Sequence, residues 1–162
     1  MKMSKASFVR IIIYIFFIVM YDATLLANHS KVPRFVSTKA SEVNARIGPG
    51  IKYPIKWVFI KKGEPLEIIN EFDQWRYVRD INNDTGWVHS SVLSLKRVVV
   101  ICSNKIQNLY RSSNKESIII AYVEPQVRCE LKKCITTTCK LNCHGHIGWM
   151  DRKILWGVYD YE

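Results

Sequence analysis

Gly86-Trp87-Val88, with Leu93 six residues after its tryptophan, returns as Gly148-Trp149-Met150, with Leu155 six residues after its own. The correspondence extends backwards. Ile55 to Gly63 (IKWVFIKKG) aligns without a gap on Ile118 to Gln126 (IIIAYVEPQ), and Asn44-Ala45-Arg46 aligns on Leu109-Tyr110-Arg111. The shared positions are apolar, glycine and arginine. A repeat of roughly 50 to 60 residues marks two copies of one small domain, because a single large sheet would not reproduce its turns and a terminal Gly-Trp at the same spacing.

Within the first copy, short apolar or alternating runs (Val43 to Arg46, Ile55 to Ile60, Leu66 to Glu71, Trp75 to Arg79, Gly86 to His89) are separated by turn residues. Gly48-Pro49-Gly50, Lys62-Gly63 and Asn82-Asn83-Asp84-Thr85-Gly86 supply the tight reversals. No segment combines helical caps with a sustained 3.6-residue period, so the chain is expected to be all-β. Open edges are costly on so small a sheet, which predicts closure into two tandem small β-barrels. The expected boundaries are residues 41–96 and 97–162, after a polar linker over residues 28–40 that contains Pro33 and shows no periodicity.

Lys2, Lys5 and Arg10 precede an apolar run from Ile11 to Tyr21, which meets Asp22 and then the small residues up to Ala27. This is the order of a secretory signal over residues 1–27, and the apolar run is shorter than the roughly 20 residues a membrane span requires. A cleaved export signal is expected, with an uncleaved membrane anchor as the alternative, since Leu25 stands where a small residue would favour cleavage after Ala27. The protein is accordingly expected in a periplasm or outside the cell, or else held at an inner membrane facing the periplasm. Membrane contact would be transient and made through the signal or anchor.

From Asn28 onward the chain has 21 Lys and Arg against 13 Asp and Glu. The charges are scattered rather than bunched, which disfavours nucleic acid and leaves acidic envelope components or a merely soluble surface. Cys102, Cys129, Cys134, Cys139 and Cys143 all fall in the exported part, where disulfides are expected. Cys134 and Cys139 flank Ile135-Thr136-Thr137-Thr138, so they are placed to bridge a hairpin. The same register brings Cys129 near Cys143, but Cys129 and Cys134 are an odd number apart, so a second bridge requires a bulge. Cys102 is left as the free thiol and the candidate link for a homodimer. A zinc site from Cys134, Cys139, Cys143, His144 and His146 is the competing reading, disfavoured by spacing and by export.

Val43-Asn44-Ala45-Arg46-Ile47-Gly48-Pro49-Gly50, Tyr53-Pro54-Ile55, Lys61-Lys62-Gly63, Trp75-Arg76-Tyr77-Val78 and Gly86-Trp87-Val88-His89 together resemble the bacterial SH3 (SH3b) domain. The second copy is more divergent: it keeps Arg111, Gly148-Trp149 and Leu155, and aligns Cys139 with Trp75. Two such copies behind an export signal, closing on Leu155-Trp156-Gly157-Val158-Tyr159, resemble small proteobacterial SH3 domain-containing proteins. The resemblance implies a binding module without catalysis or cofactor, recognising peptidoglycan stem peptides or a cell-envelope protein. The alternative is a disulfide-braced structural or interaction protein that does not bind the wall.

The residues considered for binding are Asn44, Arg46, Pro49, Tyr53, Trp75 and Tyr77. Arg46 has two readings: its guanidinium clamps a ligand carboxylate, or it ties a loop to backbone carbonyls as a motif position echoed by Arg111. Asn44 is read as a ligand contact or a turn-stabilising side chain. Tyr53 and Trp75, beside loops, stand between groove and core, whereas Trp87 and Trp149 are expected to fill the core beside Gly86 and Gly148. Binding is thus expected in the first copy and bracing in the second. Catalytic chemistry finds no support: Cys143 and His144, adjacent on a strand, point to opposite faces, and His29 and His89 lack a nucleophile context.

Overall fold

The computed structural model describes residues 32–114 and 116–162. The signal or anchor expected over residues 1–27 and the start of the linker lie outside the described residues. The first sheet contains β1 (Arg34–Thr38), β2 (Val43–Arg46), β3 (Ile55–Phe59), β4 (Pro65–Phe72), β5 (Trp75–Arg79), β6 (Thr85–His89) and β7 (Leu93–Ser94). The second contains β8 (Val98–Ile101), β9 (Gln107–Tyr110), β10 (Ile119–Val123), β11 (Arg128–Ile135), β12 (Thr138–Cys143), β13 (His146–Asp151) and β14 (Leu155–Trp156). Every pairing between them is antiparallel, and there is no α-helix among the described residues.

The first sheet runs β3-β2-β6-β5-β4-β1-β7 and the second β10-β9-β13-β12-β11-β8-β14. Adding seven to each label of the first order gives the second, so the duplication is topological as well as sequential. A one-turn 3₁₀ helix links the sixth strand to the seventh in both copies, at Ser90–Val92 and Arg152–Ile154. Each sheet buries one face around its own core. Val36, Val43, Ala45, Leu66, Ile68, Val78 and Val88 form the first core. Val99, Ile101, Leu109, Leu141, Met150 and three bridged cysteines are central to the second.

Four expectations change at this point. Residues 34–38, expected as linker, form β1, which pairs with both β4 and β7. The alternation that betrays a half-buried strand is missing because both faces are covered: Val36 joins the first core, while Phe35 meets Trp156 and Tyr159 of the second copy. Trp87 and Trp149 are half-buried on the outer faces, and their neighbours Val88 and Met150 point inward. The glycines before them serve close approach. A Cβ on Gly86 would lie 2.9 Å from the Cβ of Ala45, and one on Gly148 would lie 2.6 Å from the carbonyl oxygen of Tyr110 and 2.7 Å from Cγ of Leu109.

The remaining two changes concern register. Trp87 pairs with Arg46 and Trp149 with Tyr110, so Tyr110 rather than Arg111 occupies the place of Arg46. Trp75 pairs with Phe72 and His89, whereas Thr138 pairs with Ile135 and Asp151. The counterpart of Trp75 is therefore Thr138, and Cys139 is the adjacent inward position.

The cysteines pair as Cys129–Cys143 and Cys134–Cys139. Between β11 and β12, Leu131 faces Leu141 but Lys133 faces Lys140, so Lys132 is an extra residue. This bulge turns Cys129 and Cys134 toward the same face despite their odd separation. The first copy bulges at the same place, with Ile69 extra between Ile68 and Asn70. The turn between Cys134 and Cys139 is tighter than the four residues expected, because Ile135 and Thr138 themselves pair.

The copies dock directly. Glu67 of β4 accepts a hydrogen bond from the Tyr159 hydroxyl at 2.9 Å on one carboxylate oxygen and is held by Arg79 on the other. Arg128 pairs with Glu64 through Nε at 2.7 Å and Nη2 at 2.5 Å, and Lys96 reaches Glu130 at 3.1 Å. Arg97 lies over the Phe35 ring and donates to the Gly157 carbonyl and the Glu162 carboxylate. Arg152, buried, holds the carbonyls of Thr136, Tyr159 and Asp160, fixing the segment that carries Tyr159.

Candidate functional site

Strand alternation sends Val43 and Ala45 into the first core and Asn44 and Arg46 to the outer face of the sheet. By the same rule Trp75 and Tyr77 on β5, and Trp87 and His89 on β6, stand on that outer face, opposite the inward Val78 and Val88. Cross-strand pairing then makes a row of Arg46, Trp87 and Tyr77, with Trp75 and His89 as the next pair. The Trp75 and His89 rings meet edge to face with centroids 5.3 Å apart, and Tyr77 tilts against Trp87 at 5.1 Å. Such aromatic contacts stabilise the face by about 0.5–1.5 kcal/mol each beyond simple burial.

An open groove of about 490 Å³ crosses this face, walled chiefly by Glu42, Asn44, Arg46, Ile51, Trp75 and His89. Three of the residues expected from sequence, Asn44, Arg46 and Trp75, are thus brought together. Tyr77 is outside the groove wall: its hydroxyl lies 2.9 Å from Oγ1 of Thr85 and its ring supports Trp87. Pro49 and Tyr53 belong to the neighbouring loop. The Tyr53 ring covers the glycine turn so closely that a Cβ on Gly48 would fall 2.5 Å from it.

Arg46 braces that loop by donating from Nη1 to the Tyr53 carbonyl at 2.7 Å. Among the described residues its guanidinium makes no carboxylate pair, and the side chain contributes to the groove wall. The loop-tying reading of Arg46 is thereby met by one nitrogen. Sequence reasoning missed Glu42, Ile51 and His89 as groove residues. His89 was legible in principle, since the Trp75 and Gly86-Trp87 registers place it opposite Trp75. Its ring Nδ1 also accepts from the Ser91 backbone N–H, capping the 3₁₀ turn at 3.3 Å. Glu42 and Ile51 lie outside any strand and carried no such signal.

Cys102 remains unbridged and exposed, with its sulfur 3.7 Å from the Val100 carbonyl. Partial burial of the thiol against its surroundings pushes its pKa up, outweighing a backbone hydrogen bond from Trp156. A raised thiol pKa reduces the thiolate fraction and slows disulfide exchange. Cys143 is committed to Cys129, and His144 sits in the turn after it with φ of 52°, so the two do not form a nucleophile and base pair. Among the described residues no group of three His, Cys, Asp or Glu side chains is arranged to hold a metal, and no helix is long and apolar enough to cross a membrane.

No curated protein matches the chain. Among solved structures, NlpC2 from Trichomonas vaginalis aligns at 16% identity over 78% of this chain and 49% of its own, with a TM-score of 0.36. NlpC1 from the same organism aligns at 15% identity over 78% of this chain and 46% of its own, with a TM-score of 0.35. The chain thus spans about half the length of those two solved proteins. The family model described as the bacterial SH3 domain matches residues 39–94, the stretch that runs from just after β1 to the end of β7 and contains the whole groove.

Proposed function

We propose that the chain is an exported, non-catalytic binding module of a bacterial cell envelope whose first copy recognises short peptides, in the first instance peptidoglycan stem peptides. The observation that carries this reading is the convergence of Arg46, Glu42 and Trp75 on one groove of the first sheet. A base and an acid separated by an aromatic wall suit a zwitterionic peptide, with the guanidinium on its carboxylate and Glu42 on its amine. The bacterial SH3 family match over residues 39–94 supports a binding role, and fold alone does not specify the ligand. In the same reading the two sheets are small SH3-like barrels, each curled around its own core cluster. Residues 1–27 direct export or anchor the chain, placing it in a periplasm, outside the cell or at an inner membrane.

Purified cell wall tests the reading. The chain is expected to sediment with peptidoglycan, and Trp75→Ala to weaken retention about tenfold, the scale of losing one aromatic anchor. No sedimentation, or sedimentation indifferent to both Trp75→Ala and Arg46→Ala, would overturn it. The two disulfides and the docked copies favour the second reading, an envelope protein braced for interaction with another protein. Linkage of two chains through Cys102 belongs to that reading, and a single monomer band on a non-reducing gel removes it.

A further inference from the structure

An open cleft of about 650 Å³ lies where the two copies meet, apart from the peptide groove. The first copy gives its wall Lys39, Lys62 and Lys96, and the second gives Arg128, Asn142 and His144. Of the wall residues only Glu130 carries a carboxylate. The volume falls within the roughly 300–1,000 Å³ of small-molecule sites, so the question is which chemistry the wall can answer.

The acids nearest this cleft already have cations. Glu64 accepts from Nε of Arg128 at 2.7 Å and from Nη2 at 2.5 Å, and Nη1 of the same guanidinium donates to the Gln126 carbonyl at 3.1 Å. Glu130 takes Lys132 on one oxygen at 2.7 Å and Lys96 on the other at 3.1 Å. Those two hydrogen bonds hold its carboxyl below the usual carboxylate range. Glu124 is exposed just before the turn that carries Gln126 and is outside the wall. Lys39, Lys62, Lys96, Arg128 and Lys132 thus stand against Glu64 and Glu130, and among the described residues Lys39 and Lys62 are left with no acid or acceptor of their own. Neutral donors complete the wall. Asn142 accepts the Gly145 N–H on Oδ1 at 2.9 Å, which leaves its Nδ2 to donate. His144 and Gln126 line the cleft in left-handed backbone, with φ of 52° and 63°, a conformation uncommon for residues that carry a side chain. Gln126 stands where the first copy has Gly63, so an amide is kept at a place where glycine would fit the backbone more easily.

A carboxylate is best gripped by a guanidinium fork, and the fork in this wall is spent on Glu64 and a carbonyl. What remains is ammonium groups on flexible stems, which act as point charges and attract a ligand in proportion to its charge. A phosphomonoester carries about −1.5 to −2 charges and three acceptor oxygens, so it gains most from such a wall and occupies the amide donors as well. We propose that the cleft between the copies binds a phosphoryl group, held by Lys39 and Lys62 of the first copy and by Gln126 and Asn142 of the second. Neither copy builds this site alone, and it does not rest on the peptide reading of the first copy's groove.

The test is a titration of the full ¹⁵N-labelled chain with glycerol phosphate at low ionic strength, followed at the backbone N–H signals of Gly63 and Gly145, one from each copy and both in the cleft wall. The expected result is a saturable shift of both signals with a Kd of about 1 mM, weakened by added salt, while acetate at equal ionic strength gives no saturable shift. Lys39→Gln and Lys62→Gln should each weaken binding at least about threefold and together at least about tenfold, with dispersed spectra showing that the variants fold. Lys153→Gln, at an exposed lysine outside the wall, and Trp75→Ala in the peptide groove should leave it unchanged. A second arm with monomeric dihexanoyl phosphatidic acid names the source: tighter binding than glycerol phosphate marks a lipid headgroup, and equal binding marks a soluble or polymer-borne ester. Unmoved glycine signals, an equal response to acetate, indifference to the double lysine variant, or the same loss from Lys153→Gln overturns the proposal. The peptide reading is judged separately, by a peptide titration read at the Trp75 indole N–H.

Discussion

Gly148 and Gly63 are glycines for opposite reasons, and their substitution distinguishes packing from backbone strain. At Gly148 the backbone of β9 approaches so closely that an added Cβ meets a carbonyl oxygen and a core leucine, neither of which can swing away. Gly148→Ala should cost about 1–3 kcal/mol by overpacking, measured by urea denaturation. Gly63 has open space around it but a φ of 76°, so Gly63→Ala should cost about 1 kcal/mol through conformation alone. The Gly-Trp repeat thus reported the fold correctly while its tryptophan was misplaced. Apolar size alone does not say which sheet face is inner, and the inward neighbours Val88 and Met150 carried that information. Arg46 and Trp75 were legible as groove candidates from the first copy's motif, whereas Glu42 and Ile51 enter the groove only through loop geometry.

At the scale of elements, the hairpin of β11 and β12 concentrates the covalent bracing. Cys129–Cys143 closes a separation of 14 residues and Cys134–Cys139 one of 5. Loop-closure arguments assign about 3 kcal/mol to the longer bridge and about 2 kcal/mol to the shorter. Denaturation of Cys129→Ala/Cys143→Ala should show the larger loss, and Cys134→Ala/Cys139→Ala the smaller, since the tight turn holds those strands together anyway. The bulge at Lys132 was required in advance by cysteine parity, which is a case where two residues fix a third element's geometry. Strand β1 was unreadable for the converse reason. Its run of Phe35, Val36, Ser37 and Thr38 is buried throughout, Ser37 and Thr38 donate their hydroxyls to the carbonyls of Lys96 and Lys61, and nothing local predicts that a second domain covers its far side.

For the molecule as a whole, the junction of the copies combines aromatic packing with charged pairs, and one of its contacts responds to alkali. Burial, and then the hydrogen bond to the Glu67 carboxylate, push the Tyr159 hydroxyl well above the ordinary tyrosine range. A group raised in this way adds stability that is whole below the unfolded pKa of about 10 and is lost as pH climbs through the higher folded value. In an ultraviolet titration Tyr159 should therefore ionise later than an ordinary tyrosine, and Tyr159→Phe should delete that late step. Losing the contact also leaves Glu67 to Arg79 alone.

That same contact joins residues 92 apart, far beyond the separation of neighbouring strands within either sheet. It consequently imposes an order of assembly. During synthesis the first sheet has all its strands once β7 has emerged, yet Phe35 keeps an uncovered apolar face until Trp156 and Tyr159 arrive. The nascent chain must carry that exposed patch through the making of an entire second domain, until the segment with Trp156 and Tyr159 closes it.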